Sequence, residues 1–403
     1  MEHFWIYAGV AAGVMAVGWL YWRLVLSMYP EYLHTTEIHT LTTPDLWKLR
    51  ICRYRKDRTG GEPVLLVHGL NANQHNFTIP EGASLVDYLV DRGFDCWTVD
   101  LRGSRSSQPP FEHHRHEATI DDFLRYDLPQ TLHYIREATR YEKIHWVGHS
   151  LGGMLLYAYA QKYGTAHIAS GVTLGSPIGF KGVDMQWLED GVFFFKRFPR
   201  LLGNMFRAYI PFRGKLRVSI VLFPTNLRNL APGLTSGEVF NLIDEPLPRV
   251  LEQMAGWASK EEWVMLDGEL DAAAGLNTLQ FPLMAFYGPL DPFVPLEHAE
   301  VFFENLPHAD KEMIVLSKEN GCKQDYSHCE LVFGKGAKLE VFKPIARWIG
   351  DHASVDPLAE TAKEIADRQG IVGRLDQGTR ARMLAGGLFE DKDGEDEEEQ
   401  GGE

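Results

Sequence analysis

The pentapeptide Gly148-His-Ser150-Leu-Gly152 holds a serine between two glycines, directly after the apolar run 144–147 and before a segment with helical periodicity. This context predicts a sharp strand-to-helix turn that exposes the Ser150 hydroxyl, with glycines where neighbouring chain comes close. A helix beginning at Leu151 directs its N-terminal N–H groups and positive dipole at the same point, which stabilises negative charge there. The residue types and their spacing therefore predict that Ser150 is a nucleophile.

A serine hydroxyl needs a base to activate it and an acid to orient that base. When the serine follows such a turn, the order along the chain is serine, then aspartate or glutamate, then histidine. Asp291 stands just beyond the apolar run 283–287, and His328 lies in a loop before the last helical segment. We therefore predict that Asp291 is the acid and His328 the base, with Asp184, after an earlier strand, as the alternative acid.

A tetrahedral intermediate also needs hydrogen-bond donors for its oxyanion. The apolar run 64–67 ends in His68-Gly69-Leu70, where the glycine lets the backbone turn towards Ser150. We predict that the backbone N–H groups of Leu70 and Leu151 form the oxyanion hole, and that His68 is a structural hydrogen-bonding residue. The sequence predicts no cofactor and no metal ion, because the histidines near position 114 lack a carboxylate at zinc-ligand spacing.

Strand-like and helix-like segments that must position these residues alternate along the chain. The predicted strands are 37–41, 46–54, 64–67, 94–99, 144–147, 171–174, 283–287 and 313–316, and the predicted helices are 84–92, 120–139, 151–163 and 337–349. Such alternation indicates the α/β class, with a mostly parallel sheet covered by helices on both faces.

The alternation stops for about a hundred residues before the strand that leads to Asp291. We interpret this stretch as a helical cap inserted into the core. The predicted division of the soluble part is core at 31–176, cap at 177–280, core again at 281–350, a C-terminal helical extension at 351–388, and a disordered acidic tail at 389–403. The tail is almost entirely Asp, Glu, Gly and Gln, which cannot bury apolar surface.

The first thirty residues form a separate unit. Residues 4–22 carry no charge, and as a helix they are about 28 Å long, which matches the hydrocarbon thickness of a bilayer. No Lys or Arg precedes them and no small-residue cleavage site follows, so we predict a retained single-pass transmembrane anchor at 1–30; a buried core helix is the alternative. Arg23 follows the span directly, and the positive-inside rule then favours a catalytic domain on the cytoplasmic side.

The charge pattern restricts the partners. A formal net charge of −15 argues against nucleic acid, which is bound mainly by basic surfaces. Segment 192–213 is instead both aromatic and basic. It suits either the surface of an anionic membrane or the core of the cap, and both interpretations stay open. The predicted partners are an apolar acyl ester or lipid and a membrane; the oligomeric state stays open.

Several segments together resemble the α/β-hydrolase superfamily, and within it most closely the acid lipase family of gastric and lysosomal lipases. They are Val-His68-Gly69-Leu70 with Asn76-Phe77, then Asp100-Leu-Arg-Gly103, Tyr126-Asp127-Leu128-Pro129 with His133-Tyr134-Ile135, the segment 144–152, and the segment 328–334. The resemblance implies an α/β-hydrolase fold. It also assigns the triad to Ser150, Asp291 and His328 and the oxyanion hole to the backbones of Leu70 and Leu151.

The chain also departs from that family. Acid lipases are secreted with a cleaved signal, whereas we predict that this chain keeps its first helix, and Leu151 stands where the family usually has glutamine. We expect a membrane-anchored serine carboxylester hydrolase that cleaves an apolar acyl ester through an acyl-enzyme. Two alternatives stay open: an acyltransferase that uses the same acyl-enzyme, and a non-catalytic membrane scaffold of the same fold.

Overall fold

A computed structural model describes residues 2–56, 61–183 and 225–354, together with residues 185, 191, 196–197, 204–205 and 207–212. The alternative acid Asp184, most of segment 192–213, all but the first four residues of the predicted C-terminal extension, and the predicted acidic tail lie outside the described residues.

Within the described residues, eight strands form one sheet in the order β1-β2-β4-β3-β5-β6-β9-β10. Strands β1 and β4 pair with β2 in antiparallel fashion, and the other neighbours are parallel; β7 and β8 form a separate two-stranded sheet. The strands are β1 Glu37–Thr42, β2 Lys48–Tyr54, β3 Pro63–Val67, β4 Asp95–Asp100, β5 Ile144–His149, β6 Ile168–Leu174, β7 Val264–Met265, β8 Leu270–Asp271, β9 Leu283–Tyr287 and β10 Lys311–Val315. The predicted mostly parallel sheet is confirmed.

Helices cover this sheet. The α-helices of the described residues are α1 Glu2–Met28, α2 His75–Thr78, α3 Leu85–Asp91, α4 Ile120–Asp122, α5 Leu128–Thr139, α6 Leu151–Tyr163, α7 Ser236–Leu242, α8 Pro248–Lys260, α9 Leu296–Asn305, α10 Glu330–Phe333 and α11 Lys343–Asp351. The segment predicted as one helix over 120–139 contains a π-helical turn, Phe123–Asp127, between α4 and α5. A second π-helical turn, Lys338–Phe342, leads into α11.

Both faces of the sheet are buried. In β3, Leu65 and Val67 belong to one apolar cluster, while Val64 and Leu66 belong to the cluster on the opposite side. Because successive side chains of a strand point to opposite faces, a strand buried on both faces reads as a nearly continuous apolar run. This explains the apolar sequences of β3 and β9.

A buried ion-pair unit joins two of the segments that carry the family resemblance. Arg102, after β4, donates from Nε to Asp127 Oδ1 at 2.8 Å and from its backbone N–H to Asp127 Oδ2 at 2.9 Å. Its terminal nitrogens donate to both carboxylate oxygens of Asp45. Arg102 and Asp127 are buried, so these bonds fix the start of α5 against the end of β4.

The segment between β6 and β9, which the sequence analysis interprets as a cap, contains α7 and α8. Helix α8 is amphipathic and buries Val250, Leu251 and Met254. Arg207 of the same segment is buried, and its guanidinium donates to the carbonyl of Ile243. Arg207 is therefore not available to contact lipid headgroups, in contrast to one of the two interpretations of segment 192–213.

Most of helix α1 is exposed. It is long and apolar enough, from Trp5 to Met28, to cross a membrane, and most of its described side chains are exposed except near its C-terminal end. Trp5, Ile6, Val14 and Trp19 are each more than half exposed. Contiguous exposed apolar surface of this kind is costly in water, so α1 requires an apolar environment or a partner.

Candidate active site

Ser150 occupies the turn between β5 and α6 with φ 53° and ψ −118°. A positive φ is uncommon for a residue with a side chain and marks strain of order 1–3 kcal/mol, which persists only where the surrounding structure holds it. Here the N–H of Ser150 donates to the carbonyl of Leu174 at 2.9 Å, and its own carbonyl accepts from Gly153. The predicted turn is present, with Ser150 at the N-terminus of α6.

The glycines around Ser150 are required by close approach of other backbone. A Cβ on Gly152 would lie 2.0 Å from the carbonyl oxygen of Val67 in β3, and one on Gly148 would lie 2.4 Å from the backbone of α6. Any side chain at either position would separate α6 from the sheet. The Gly-x-Ser-x-Gly spacing is thus explained by packing.

Asp291 and His328 form a buried pair. Asp291 follows β9 in a turn in which its N–H donates to Gly288 O at 3.0 Å, and its Oδ1 accepts from the N–H of Phe293 at 2.9 Å. Its Oδ2 lies 2.7 Å from Nδ1 of His328, and both side chains are nearly inaccessible to solvent. Since a carboxylate accepts hydrogen bonds, the pair fixes the Nδ1–H tautomer and leaves Nε2 for proton transfer.

One apolar cavity brings the predicted site residues together. Ser150, His328, Gly69 and Leu70 all line it. Asp291 lies behind His328, and the side chain of Leu151 is buried in the core. The volume of the cavity is about 120 Å³. One water molecule requires ~10–15 Å³, so the cavity can hold a larger ligand. Most other lining residues are aliphatic or aromatic, among them Phe180, Met185, Leu234, Val239, Leu242, Ile243, Met254, Phe293 and Phe333.

The two predicted oxyanion donors flank Ser150. A Cβ on Gly69 would lie 3.2 Å from Cβ of Ser150, so the Gly69–Leu70 peptide packs directly against the serine. Among the hydrogen bonds of the described residues, neither the N–H of Leu70 nor that of Leu151 has an acceptor. Two unused backbone donors beside one serine are suited to bind developing negative charge.

His68 is a structural residue, as its position suggested. Its Nε2 accepts from the N–H of Leu101 at 3.3 Å, which leaves the proton on Nδ1, 2.8 Å from the carbonyl oxygen of Gly69. Burial lowers the pKa of His68, consistent with a neutral ring that uses one nitrogen as acceptor and the other as donor. These bonds hold the loop that carries Leu70.

Asn76 and His149 lie between the loop of Leu70 and the loop of His328, and the sequence analysis did not predict these contacts. The side-chain oxygen of Asn76 accepts from the N–H of Gly69 at 3.0 Å and lies 3.0 Å from Nδ1 of His149. Nε2 of His149 lies 3.3 Å from the carbonyl oxygen of His328. His149 thus lies between the Leu70 loop and the His328 loop, within hydrogen-bond distance of an acceptor on each. Both residues stand within the segments that carry the resemblance, but their 73-residue separation gives no signal of contact.

The comparisons with known proteins agree with this architecture. The family model described as "alpha/beta hydrolase fold" matches residues 62–323. Triacylglycerol lipase 2 of Arabidopsis thaliana is 29% identical over 355 residues, which cover 77% of this chain and 83% of that protein. Gastric triacylglycerol lipase of Rattus norvegicus is 36% identical over 104 residues, covering 24% of this chain and 26% of that protein. For Lipase 1 of Drosophila melanogaster the values are 33% identity, 30% of this chain and 29% of that protein.

Solved structures show the same fold. The esterase EaEST from Exiguobacterium antarcticum superimposes with a TM-score of 0.52 at 15% identity, over 78% of this chain and 98% of that one. A thermophilic esterase from Thermogutta terrifontis gives 0.51 at 19% identity, over 79% and 100%. The resemblance to gastric lipases that the sequence segments suggested is confirmed. The lipase relatives of the chain support a serine ester hydrolase. The chain belongs to the α/β-hydrolase family.

Proposed function

We propose that the protein is a membrane-anchored serine carboxylester hydrolase that cleaves an apolar acyl ester through an acyl-enzyme. The observation that carries the proposal is that Ser150, at a strained turn, and His328, hydrogen-bonded to Asp291, line one apolar cavity. The lipase relatives add support for an ester as the substrate class.

The proposed reaction follows from the roles of these groups. Ser150 Oγ attacks the ester carbonyl while Nε2 of His328 takes its proton, and Asp291 stabilises the resulting imidazolium. The N–H groups of Leu70 and Leu151 bind the oxyanion. His328 then protonates the leaving alcohol, and a water molecule activated by the same residue hydrolyses the acyl-enzyme.

The cavity wall supports an apolar acyl group as the part of the substrate that binds. Most of its lining residues are aliphatic or aromatic, and burying one CH₂ group in such surroundings contributes about 0.8 kcal/mol. A longer acyl chain should therefore bind more tightly until the cavity is filled. We propose that the helical segment between β6 and β9 acts as the cap that supplies much of this wall.

We also propose that α1 is a retained membrane anchor and that Arg23 places the catalytic domain on the cytoplasmic side. Support for retention comes from the last turns of α1, where Val25 is fully buried and Tyr21 donates a hydrogen bond to Ala208. A signal sequence removed after targeting would leave these contacts unmade.

The purified full chain, assayed with a ladder of p-nitrophenyl esters from acetate to palmitate, tests the proposed function. We expect kcat/KM to rise with acyl length, and a fluorophosphonate probe to label wild type but not Ser150→Ala. Product analysis in the presence of alcohol and thiol acceptors distinguishes hydrolysis from acyl transfer. An absence of both labelling and turnover would favour the scaffold alternative.

A further inference from the structure

The C-terminal end of α1 is docked against the body of the protein. Val25 is 0% exposed, whereas its neighbour Leu24 is 56% exposed. Tyr21, four residues before Val25, donates its hydroxyl hydrogen to the carbonyl of Ala208, and Tyr29, four residues after Val25, contacts Phe240. Residues spaced by four share one face of a helix, so one face of the last two turns is docked and the adjoining face is free.

The docking partner is α7. The ring of Phe240 lies 6.4 Å from that of Trp22 and 5.2 Å from that of Tyr29. Val25 belongs to one apolar cluster with Val239, Phe240 and Ile243. Where the chain leaves α1, the side chain of Asn241 donates to the carbonyl of Pro30 at 3.2 Å. The end of α1 is therefore held by both apolar contacts and a hydrogen bond.

The same short helix forms part of the cavity wall. Val239, Leu242 and Ile243 line the cavity that contains Ser150. Val239 and Ile243 thus contact both the cavity and the cluster around Val25. A single layer of side chains separates the docked end of α1 from the space proposed to hold the acyl chain.

α7 is also connected to the loop that carries the proposed oxyanion donor. Asn73 Nδ2 donates to the carbonyl of Asn241 at 2.8 Å, and the N–H of Asp244 donates to the carbonyl of Asn71 at 2.9 Å. Asn71 directly follows Leu70. Buried hydrogen bonds therefore hold α7 against the loop that carries Leu70.

The position of the docked residues along α1 sets their depth. A helix needs about 20 residues to cross the hydrocarbon core, so a span that begins at Trp5 ends near Leu24. Trp22 and Tyr29 then lie at the membrane–water boundary, where such side chains are enriched. Because α7 packs against this part of α1, α7 and the cavity behind it lie at the level of the lipid headgroups.

We infer that α1 and α7 together form an oriented mount that holds the cavity at the bilayer surface, and that the substrate is a lipid ester resident in that bilayer. Its acyl chain leaves the hydrocarbon at the α7 side and enters the cavity past the apolar side chains of Val239 and Ile243. This inference rests on the proposed ester hydrolysis and names its substrate class. An oriented mount differs from simple tethering. If tethering alone were needed, any flexible link to the membrane would be sufficient for hydrolysis of a lipid in the bilayer.

The test compares two adjacent positions of the full chain reconstituted in phosphatidylcholine vesicles. Val25→Asn introduces a polar group on the docked face, and Leu24→Asn introduces the same group on the free face. The substrates are a dioleoylglycerol in the vesicles and water-soluble p-nitrophenyl butyrate. We expect Val25→Asn to reduce dioleoylglycerol hydrolysis by about tenfold, the factor associated with losing the burial of one valine. Its butyrate hydrolysis and membrane retention should stay within about twofold of wild type, and Leu24→Asn should reduce neither activity.

A second variant separates orientation from tethering. A flexible six-residue Gly-Ser insertion between Met28 and Tyr29 keeps the anchor but releases the body from it, and should reduce dioleoylglycerol hydrolysis as Val25→Asn does. Full dioleoylglycerol hydrolysis by both variants, or equal loss with Leu24→Asn, would overturn the oriented mount. Failure of the proposed function gives a different result, because wild type would then hydrolyse neither substrate and would not react with a fluorophosphonate.

Discussion

His149 Nε2 lies 3.3 Å from the carbonyl oxygen of His328, and the two imidazole rings are 4.9 Å apart. The other nitrogen of His149 faces the side-chain oxygen of Asn76. Both neighbours are acceptors, so a neutral His149 can donate to only one of them at a time. Burial, assisted by the nearby His328, lowers the pKa of His149 well below its ordinary value. The ring of His149 is therefore neutral and donates to one of these two acceptors at a time.

This neutrality predicts a pH dependence of stability. His149 and His68 have lowered pKa values when folded, so below about pH 6.5 the unfolded chain binds protons that the folded chain does not. The contribution of these two histidines to the free energy of unfolding should fall with decreasing pH, by up to ~1.4 kcal/mol per pH unit for each histidine. Urea unfolding of the full chain in detergent at pH 5 to 7.5 measures this slope.

Two variants assign the slope to particular residues. His149→Gln should reduce the slope of the unfolding free energy against pH by the contribution of one histidine, because glutamine does not titrate. The control variant is His133→Gln, which replaces an exposed histidine of α5. If His149→Gln keeps the wild-type slope, His149 is protonated in the folded protein and our assignment of its charge is wrong.

Ser150→Ala should abolish fluorophosphonate labelling and reduce kcat by ~10⁶, the typical effect of removing a triad nucleophile. The chain offers Ser176→Ala as a matched control, since Ser176 is buried and its hydroxyl has no hydrogen-bond partner in the described structure. Ser176→Ala should therefore be labelled at the wild-type rate. Intact-mass measurement after labelling gives the result, and labelled Ser150→Ala protein would refute the assignment.

Asp291→Asn keeps the size of the side chain but favours the wrong tautomer of His328. In the best-studied triad this costs up to ~10⁴ in kcat, and we expect a loss of similar order here. Asp184→Asn should be mild. Steady-state rates with p-nitrophenyl butyrate compare the two variants, and a greater loss in Asp184→Asn would transfer the acid role to the earlier position.

Gly175→Ala tests the geometry of the Asp291–His328 pair without changing either residue. Gly175 has φ 55°, and an added Cβ would lie 2.9 Å from Asp291 Oδ2 and 3.0 Å from His328 Nδ1. Displacing such a pair by about 1 Å can cost ~10²-fold in rate. Gly164→Ala is the control, because Gly164 has φ 81° but an added Cβ would contact nothing within 4 Å.

Both glycine variants should lose roughly 1–3 kcal/mol of stability because each glycine has a positive φ that other residues rarely adopt, but only Gly175→Ala should lose activity. Thermal unfolding and kcat for a soluble ester, measured on the same samples, separate the two effects. Equal activity of the two variants would show that the pair tolerates displacement.

The membrane anchor predicts a fractionation result. The full chain should stay in the membrane pellet after a carbonate wash, because an apolar helix of this length is inserted too stably to be extracted. A chain that begins at Glu31 should be released into the supernatant. Release of the full chain by carbonate would mean that α1 lies on the surface of the membrane or of another protein.

Much of the fold was predictable because the central strands are buried on both faces and are therefore mostly apolar. The run 144–147 and the helix Leu151–Tyr163 were recognisable for this reason, as was the turn between them. The π-helical turn Phe123–Asp127 was not, since the helical periodicity of the sequence continues across it. Local pattern thus predicted the elements but not the irregularity within one of them.

The candidate site was predictable where chain order and local turns constrain it. It was less predictable where it depends on contacts between residues that are distant in sequence. Asp291 and His328 could be selected because each follows a strand at the same edge of the sheet. The link from Asn76 to His149 depends on two side chains that are distant in sequence. The buried position of Arg207 was likewise invisible, because a basic residue among aromatic ones suits a membrane surface equally well.

The contact between Arg102 and Asp127 has an evolutionary consequence. Both charges are buried and Arg102 also binds Asp45, so replacing one partner leaves an unpaired buried charge, a change that costs about 3–5 kcal/mol. That is a large fraction of the stability of an ordinary domain. Substitutions at these positions should therefore be accepted only jointly, and an alignment of divergent relatives should show Arg102 and Asp127 covarying although 24 positions lie between them.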